Sequence, residues 1–435
     1  MCETDSIHRG SMEGGLRRFL LWLADHEIWL VGLLAAAGVL SSRMLIFAVG
    51  LGGCYWIIRK VARGHFTVRS PLDLALIPML LMLPLTMVVT ALPDQTMPQV
   101  FRLLLGIALY YALVNWANSP QRLNWYANGM VCIGITLALV APISVKWFTN
   151  KLPFIPSSLY KVPLLLSDPI HPNVMAGSLV LILPLMLAIL VYRWGSIRLV
   201  YRVAYLIAFG WTAFILIMTQ SRAAWLAFAM AGLLVAILRW RWAWVAAVFA
   251  VVLALVFVVS LGTERILDLL IASEALGGIK DRMEIWSRAL YMIQDFPLTG
   301  VGMGSFMKAT DAVYLFFYIG PQKVDHAHNL FLQIAVDLGI PGLISWISAF
   351  LLVILSSWRV FRRGIEEQDG LMAGVGAGLL ASQLALLMQG MLDAVVWGMV
   401  RSAPLVWVLW GLPSASLIFL ERSSLAIESI CNKSS

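Results

Sequence analysis

GTERILDLLIASEALGGIKDRMEIWSRALYMIQDFPLTGVGMGSFMKATDAVYLFFYIGPQKVDHAHNLFLQIAVDLGIPG, Gly262–Gly342, is the long polar segment of a chain that otherwise reads as a nearly continuous series of apolar runs. It carries Arg265, Lys280, Arg282 and Arg288 among the carboxylates Asp281, Glu284 and Asp295. It then passes through Gly300-Val301-Gly302-Met303-Gly304 and reaches Asp325-His326-Ala327-His328-Asn329. The apolar runs on either side decide the fold class. Apolar residues make up 61% of the chain and charged residues 12%, and the mean hydropathy is +0.86. A soluble domain needs a charged exterior that this composition does not supply. The expected fold is therefore all-α, a polytopic bundle of about twelve transmembrane helices with one long, partly helical outer loop.

Spans of bilayer-crossing length fall near 24–41, 43–58, 72–92, 98–117, 124–148, 173–192, 203–219, 223–238, 243–262, 329–357, 371–392 and 402–420. The first two are short enough to form a tight helical hairpin. The run 329–357 contains Gly339-Ile340-Pro341-Gly342, which predicts a short helix, a break and then a spanning helix. The organisation expected is membrane helices over 1–262, an outer region over 263–328 with an amphipathic helix, and membrane helices over 329–435. The first residues, 1–15, are polar and lack a small-residue cleavage site, so the first span is expected to stay as an anchor.

Charge orients these spans. Arg17/Arg18, Arg59/Lys60/Arg63/Arg69, Arg122, Arg193/Arg198/Arg202, Arg239/Arg241, Arg359/Arg362/Arg363 and Arg422/Lys433 fall in alternate connections. The positive-inside rule puts those connections, and both termini, in the cytoplasm and the polar loop outside. The net charge of +8 then records orientation, and no nucleic-acid partner follows. Cys2, Cys54, Cys132 and Cys431 lie in spans or near the termini, so neither a disulfide framework nor a Cys-based zinc site is indicated.

The outer loop has more cations than orientation requires: Arg265, Lys280, Arg282, Arg288, Lys308 and Lys323. Arg222, in Thr219-Gln220-Ser221-Arg222 between two apolar runs, stands at the outer membrane boundary, where it either snorkels or meets a lipid-borne diphosphate. Over Ile279–Asp295 the spacing of Met283, Trp286, Leu290 and Ile293 predicts an amphipathic helix with those residues as its packing stripe. The Gly300–Gly304 run lacks dinucleotide-binding spacing and reads as a tight turn bringing backbone close to a neighbour. His326 and His328 precede an apolar helix, with Asp325 placed to cap it or to orient an imidazole. A zinc site has no further ligand at convincing spacing, His171 being the other outer histidine in view. The outer loops also lack a D-x-D pair, so a reaction without a metal is expected.

Taken together, these segments resemble the O-antigen ligase and polymerase superfamily. Thr219-Gln220-Ser221-Arg222 is similar to its T-x-S-R turn. Arg282-Met283-Glu284-Ile285-Trp286 with Pro297–Gly304 is similar to its R-x-x-x-W…P-x-x-G-x-G-x-G segment. His326-Ala327-His328-Asn329 followed by Gly339-Ile340-Pro341-Gly342 is similar to its H-x-H-N…G-I-x-G signature, and His171-Pro172-Asn173 also fits. The likeness covers about 170–345, and the remaining spans agree in type and number.

The resemblance implies a GT-C-like bundle in the bacterial inner membrane. Its activity would be an inverting glycosyl transfer from undecaprenyl diphosphate on the outer face, with no cofactor and no metal. It also implies roles. Arg222 and Arg282 take the diphosphate, with Arg288 as a third cation. His328 serves as base or acceptor-positioning group, with His326 secondary. The acceptor is lipid A-core in a ligase, which is the favoured reading, or a second lipid-linked glycan in a polymerase; a related branch glycosylates proteins. A hydrolase carboxylate pair is not evident, although Glu264, Asp268, Glu274, Asp281 and Glu284 are present. The reading from another class is a small-anion transporter, which needs ionisable groups near the midplane. Asp337 and Asp393 are the exceptions to the concentration of charge at the outer edge, and both fall near predicted span ends.

Overall fold

The computed structural model describes residues 3–41, 43–147, 169–261, 277–317, 324–398 and 400–434. Arg265, Lys323, Glu264, Asp268, Glu274 and the side chain of Lys280 lie outside the described residues. The helices are α1 (Glu3–Leu40), α2 (Met44–Arg63), α3 (Asp73–Val89), α4 (Pro93–Trp116), α5 (Pro120–Ser144), α6 (Pro172–Tyr192) and α7 (Leu199–Met218). They continue with α8 (Arg222–Arg239), α9 (Ala243–Leu261), α10 (Gly277–Asp295), α11 (Phe306–Ala312), α12 (Leu330–Glu366), α13 (Gly370–Gly390) and α14 (Pro404–Ser434). Among the described residues no strand forms, and Val145 and Ile170 make an isolated bridge.

Among the described residues, ten helices are long and apolar enough to cross a membrane, and α3 and the first part of α9 are shorter apolar helices. These occupy the places where spans were expected, and the protein is a multi-pass, all-α membrane protein. Two boundaries differ. Helix α1 begins at Glu3, well before its apolar part, and α14 continues to Ser434. Both extensions are polar helix without proline, which hydropathy does not see but backbone propensity permits.

The bundle is organised around α6 and α13, which pack lengthwise, with α8 against both and α12 on another side of α13. Glycines on α13 make this approach possible, since helix contacts in a membrane rest on close packing rather than on hydrophobic exclusion. A Cβ on Gly378 would lie 2.7 Å from the Leu185 Cα of α6, and one on Gly376 would collide with the Phe361 backbone of α12. Gly378→Leu is expected to separate α6 from α13 at a cost of about 1–3 kcal/mol or more. Loss of the monodisperse peak in detergent, or a lowered thermal midpoint, would register it; unchanged stability would show that this contact is dispensable.

The predicted hairpin is formed by α1 and α2, packed around Val31, Leu45, Ala48 and Tyr55. The predicted break in α12 is also found: Gly339 has φ 69° and ψ −178° inside an otherwise helical run. Helix α10 forms as expected, but its buried stripe is Ile285, Ala289 and Met292, with Trp286 and Ile293 partly buried. Met283 and Leu290, expected in the stripe, are 62% and 48% exposed. Both sets have helical spacing, so the packing of Phe306, Ala327 and Val336 against one of them decides the face.

Candidate functional site

Four separate segments converge at one end of the bundle. The first is the start of α6, where Pro172 occupies the first turn and the His171 side chain accepts from the Asn173 N–H at 3.2 Å. The second is the 324–329 stretch that leads into α12. Its helix is capped by Asn329, whose side chain accepts from the Phe331 and Leu332 N–H groups at 3.0 and 3.1 Å. Asp325, expected to cap or to orient an imidazole, is exposed and does neither. Its capping role belongs to Asn329, and its orienting role to the third segment, the 391–403 connection between α13 and α14.

That connection carries Asp393, which is 3% exposed. His326 Nε2 lies 3.6 Å and His328 Nδ1 3.4 Å from the same oxygen, Asp393 Oδ1. The two imidazole rings stand 4.2 Å apart. Asn173 donates to Asp393 Oδ2 at 3.1 Å, and the Ala394 N–H donates to Oδ1 at 2.9 Å. Asn329 Nδ2 donates to the Met391 carbonyl at 3.1 Å, tying the histidine stretch to the same connection. His328 itself has φ +46°, a left-handed conformation costly for a residue with a Cβ. Of the other described non-glycine residues with positive φ, Gln220 lies in the Thr219–Arg222 turn.

The fourth segment is α10. Arg282 is half-buried and close enough to His326 to act on its charge. Burial is the main force that lowers the His326 pKa, to about 4, with His328, His171 and Arg282 adding to it and Asp393 opposing. His326 is therefore neutral at neutral pH. Burial pushes Asp393 up, but the approach of His328 and His326 outweighs it and holds the carboxyl below its ordinary range, so it is the anion of the cluster.

The arginines separate into two kinds. Arg222 is exposed at the first position of α8, which packs on α6 and α13, and among the described residues it makes no hydrogen bond or ion pair. The structure puts it at the same end of the bundle as Asn173 but in no contact with the imidazoles. Arg282 is likewise without a hydrogen bond or ion pair among the described residues. Arg288 is different. It faces Glu284 at 3.4 Å and lies over the Phe317 and Tyr291 rings at 4.9 and 5.8 Å, so its charge is spent on holding α10 to the chain near 317.

Two joints hold the cluster, the first between backbones and the second through side chains. At the first, the Val301 N–H donates to the Val336 carbonyl at 2.8 Å, and the Ile340 N–H donates to Pro297 at 2.7 Å. Gly300 and Gly339 face each other's backbone here, and a Cβ on Gly300 would sit 2.5 Å from the Val336 oxygen. The glycine run is thus the close turn its sequence suggested. At the second joint, Gln333 accepts from the Ala327 N–H at 2.8 Å and donates to Asp337 Oδ1 at 2.9 Å, while Trp397 donates to Asp337 Oδ2 at 2.8 Å. This chain locks the histidine stretch to the 391–403 connection through groups that are all buried. Gln333→Leu leaves the Ala327 N–H without its side-chain partner and removes one of the donors to Asp337. A loss of about 1–3 kcal/mol per group is expected, read as a lower thermal midpoint in detergent. A midpoint equal to the wild type would show that the chain holds nothing.

Asp393 and Asn173 enter the cluster without a role assigned from sequence. The available signals were the polar Asp393 at a span end and the His-Pro-Asn start of α6; pairing them required the fold. No curated protein matches the chain. The family model described as O-antigen ligase matches residues 207–347, from within α7 through the Thr219–Arg222 turn, α10, both histidines and the Gly339 break. Over that segment the chain is similar to the O-antigen ligase family, and the match supports the resemblance that the motifs carry.

Proposed function

We propose that this protein transfers a glycan from undecaprenyl diphosphate to an acceptor hydroxyl at the outer face of the cytoplasmic membrane. The likeness of residues 207–347 to the O-antigen ligase family supports a glycan transferase of the O-antigen ligase and polymerase type, acting in a bilayer on lipid-linked glycans. The observation that carries the finer reading is the pair of imidazoles held on one buried carboxylate, beside an arginine, Arg282, that makes no hydrogen bond or ion pair among the described residues.

In this reading the acceptor oxygen attacks the anomeric carbon and the bond from that carbon to the diphosphate oxygen breaks, with inversion. The diphosphate leaves with the electron pair, and Arg222 and Arg282 stabilise the charge that develops on it. The acceptor proton passes to His328. With Nδ1 turned to Asp393, the free ring nitrogen is Nε2, and the carboxylate favours the imidazolium that forms. His326, neutral and packed on His328, positions the acceptor. Arg288 supports α10 instead of touching phosphate. No metal is needed for these steps, because the cations and the base are side chains. The transporter reading loses its two midplane candidates: Asp337 is held by Gln333 and Trp397, and Asp393 by the histidine cluster.

The test uses purified protein, an undecaprenyl-diphosphate oligosaccharide and EDTA, with lipid A-core and a second lipid-linked glycan as alternative acceptors. Product on lipid A-core is the expected result and assigns a ligase. Lengthened lipid-linked product would assign a polymerase, and no product from folded protein with either acceptor would overturn the reading.

A further inference from the structure

The histidine cluster has a second chemistry. His326 Nε2, His328 Nδ1 and Asp393 Oδ1 lie within 4.8 Å of one another, with the carboxylate oxygen 3.6 and 3.4 Å from the two nitrogens. With metal–ligand distances of about 2.0–2.2 Å, neighbouring ligands of a tetrahedral zinc ion stand about 3.3–3.5 Å apart. Two edges of the triangle already have nearly that length. Two imidazoles and a carboxylate suit Zn²⁺, whereas Mg²⁺ and Ca²⁺ prefer oxygen alone. Outer partners fix the carboxylate as metal sites require: Asn173 holds Oδ2, and the Ala394 N–H takes one lone pair of Oδ1. His328 Nδ1 is buried and faces Asp393 Oδ1 at 3.4 Å without a hydrogen bond among the described residues.

We propose that His326, His328 and Asp393 form a reversible zinc site, completed by water, and that zinc bound there switches transfer off by taking both imidazoles from the acceptor. The inhibitory half rests on the function proposed above; the binding half does not. Loading has one local requirement. His326 Nδ1 accepts from the His328 N–H at 3.1 Å, so the ring proton must move from Nε2 to Nδ1 and that contact must open. Three protein ligands, one of them freed only by this rearrangement, describe a site that exchanges zinc instead of one that folds around it.

The experiment titrates Zn²⁺ by calorimetry into the full chain in detergent after EDTA stripping, and repeats it with Co²⁺, whose visible bands report tetrahedral nitrogen and oxygen ligands. One equivalent should bind in the wild type. His328→Ala and Asp393→Asn should each weaken binding at least tenfold, with His65→Ala as a remote-histidine control that leaves it unchanged. Asp393→Asn keeps the side-chain volume, so a binding loss there does not depend on the alanine variant folding. No stoichiometric binding, or binding that survives both substitutions, would overturn the site. Transfer should fall when zinc is added and return with EDTA; a zinc-loaded protein that transfers as fast as the stripped one would overturn the inhibition. Because calorimetry reads the site whether or not transfer occurs, failure of the transferase reading is distinguishable from failure of this one.

Discussion

His328→Ala is expected to insert and fold as the wild type does and to transfer glycan about a hundred- to ten-thousand-fold more slowly, the range lost when a general base is removed. The fold should survive because the ring is a third exposed at 32% and Nδ1 makes no hydrogen bond among the described residues. Removing it also relieves nothing at the backbone, since alanine keeps the same φ. Asp393→Asn tests the same step from the other side. It keeps the shape of the carboxylate but removes the charge that favours His328 as an imidazolium. Its transfer should therefore fall as well, by less than in His328→Ala, because the base itself is still present. Single-turnover transfer from a fluorescent lipid-linked donor measures both. Wild-type rates in the histidine variant would remove His328 from the chemistry.

The arginines should divide as their contacts do. Arg222→Ala and Arg282→Ala are each expected to lower transfer by about a hundred- to a thousand-fold, as when a donor to a developing oxyanion is deleted. Lysine at either position should restore only part of the rate, because an ammonium cannot present two parallel donors to a diphosphate. Neither variant should be unstable, since neither guanidinium has a hydrogen bond or ion pair to lose among the described residues. Arg288→Ala should behave in the opposite way. It removes one partner of the buried Glu284, which keeps the Phe317 N–H, and two ring contacts, so its first effect is a lower thermal midpoint. If Arg288→Ala instead keeps its stability and loses transfer as steeply as Arg282→Ala, the division is wrong and all three arginines touch the donor.

Much of this was legible in the chain itself. The spans could be placed because a lipid-crossing helix must be apolar over its whole length, and the break in α12 because Gly339 and Pro341 stand two residues apart. The hinge glycines could be read as a close turn because few other roles suit three glycines at alternate positions. The face of α10 could not be chosen, because Met283–Leu290 and Ile285–Met292 have equal claim to helical periodicity. Asp325 looked like the partner of the histidines because it is adjacent in sequence, while the group that reaches them, Asp393, is supplied by another connection.

The sequence by itself determined a polytopic helical membrane protein and its span places, and it singled out the stretches from Thr219 to Arg222, Arg282 to Trp286 and His326 to Asn329 as the candidates for chemistry. These are local properties: hydropathy, periodicity and motif spacing are carried by neighbouring residues. Only the tertiary structure decided that Asp393 and Asn173 join His326 and His328, that Arg288 faces Glu284, and that Asp337 joins Gln333 and Trp397. The reason is geometric. Hydrogen bonds and ion pairs form between whichever groups packing brings within about 3–4 Å, and here those groups stand far apart along the chain.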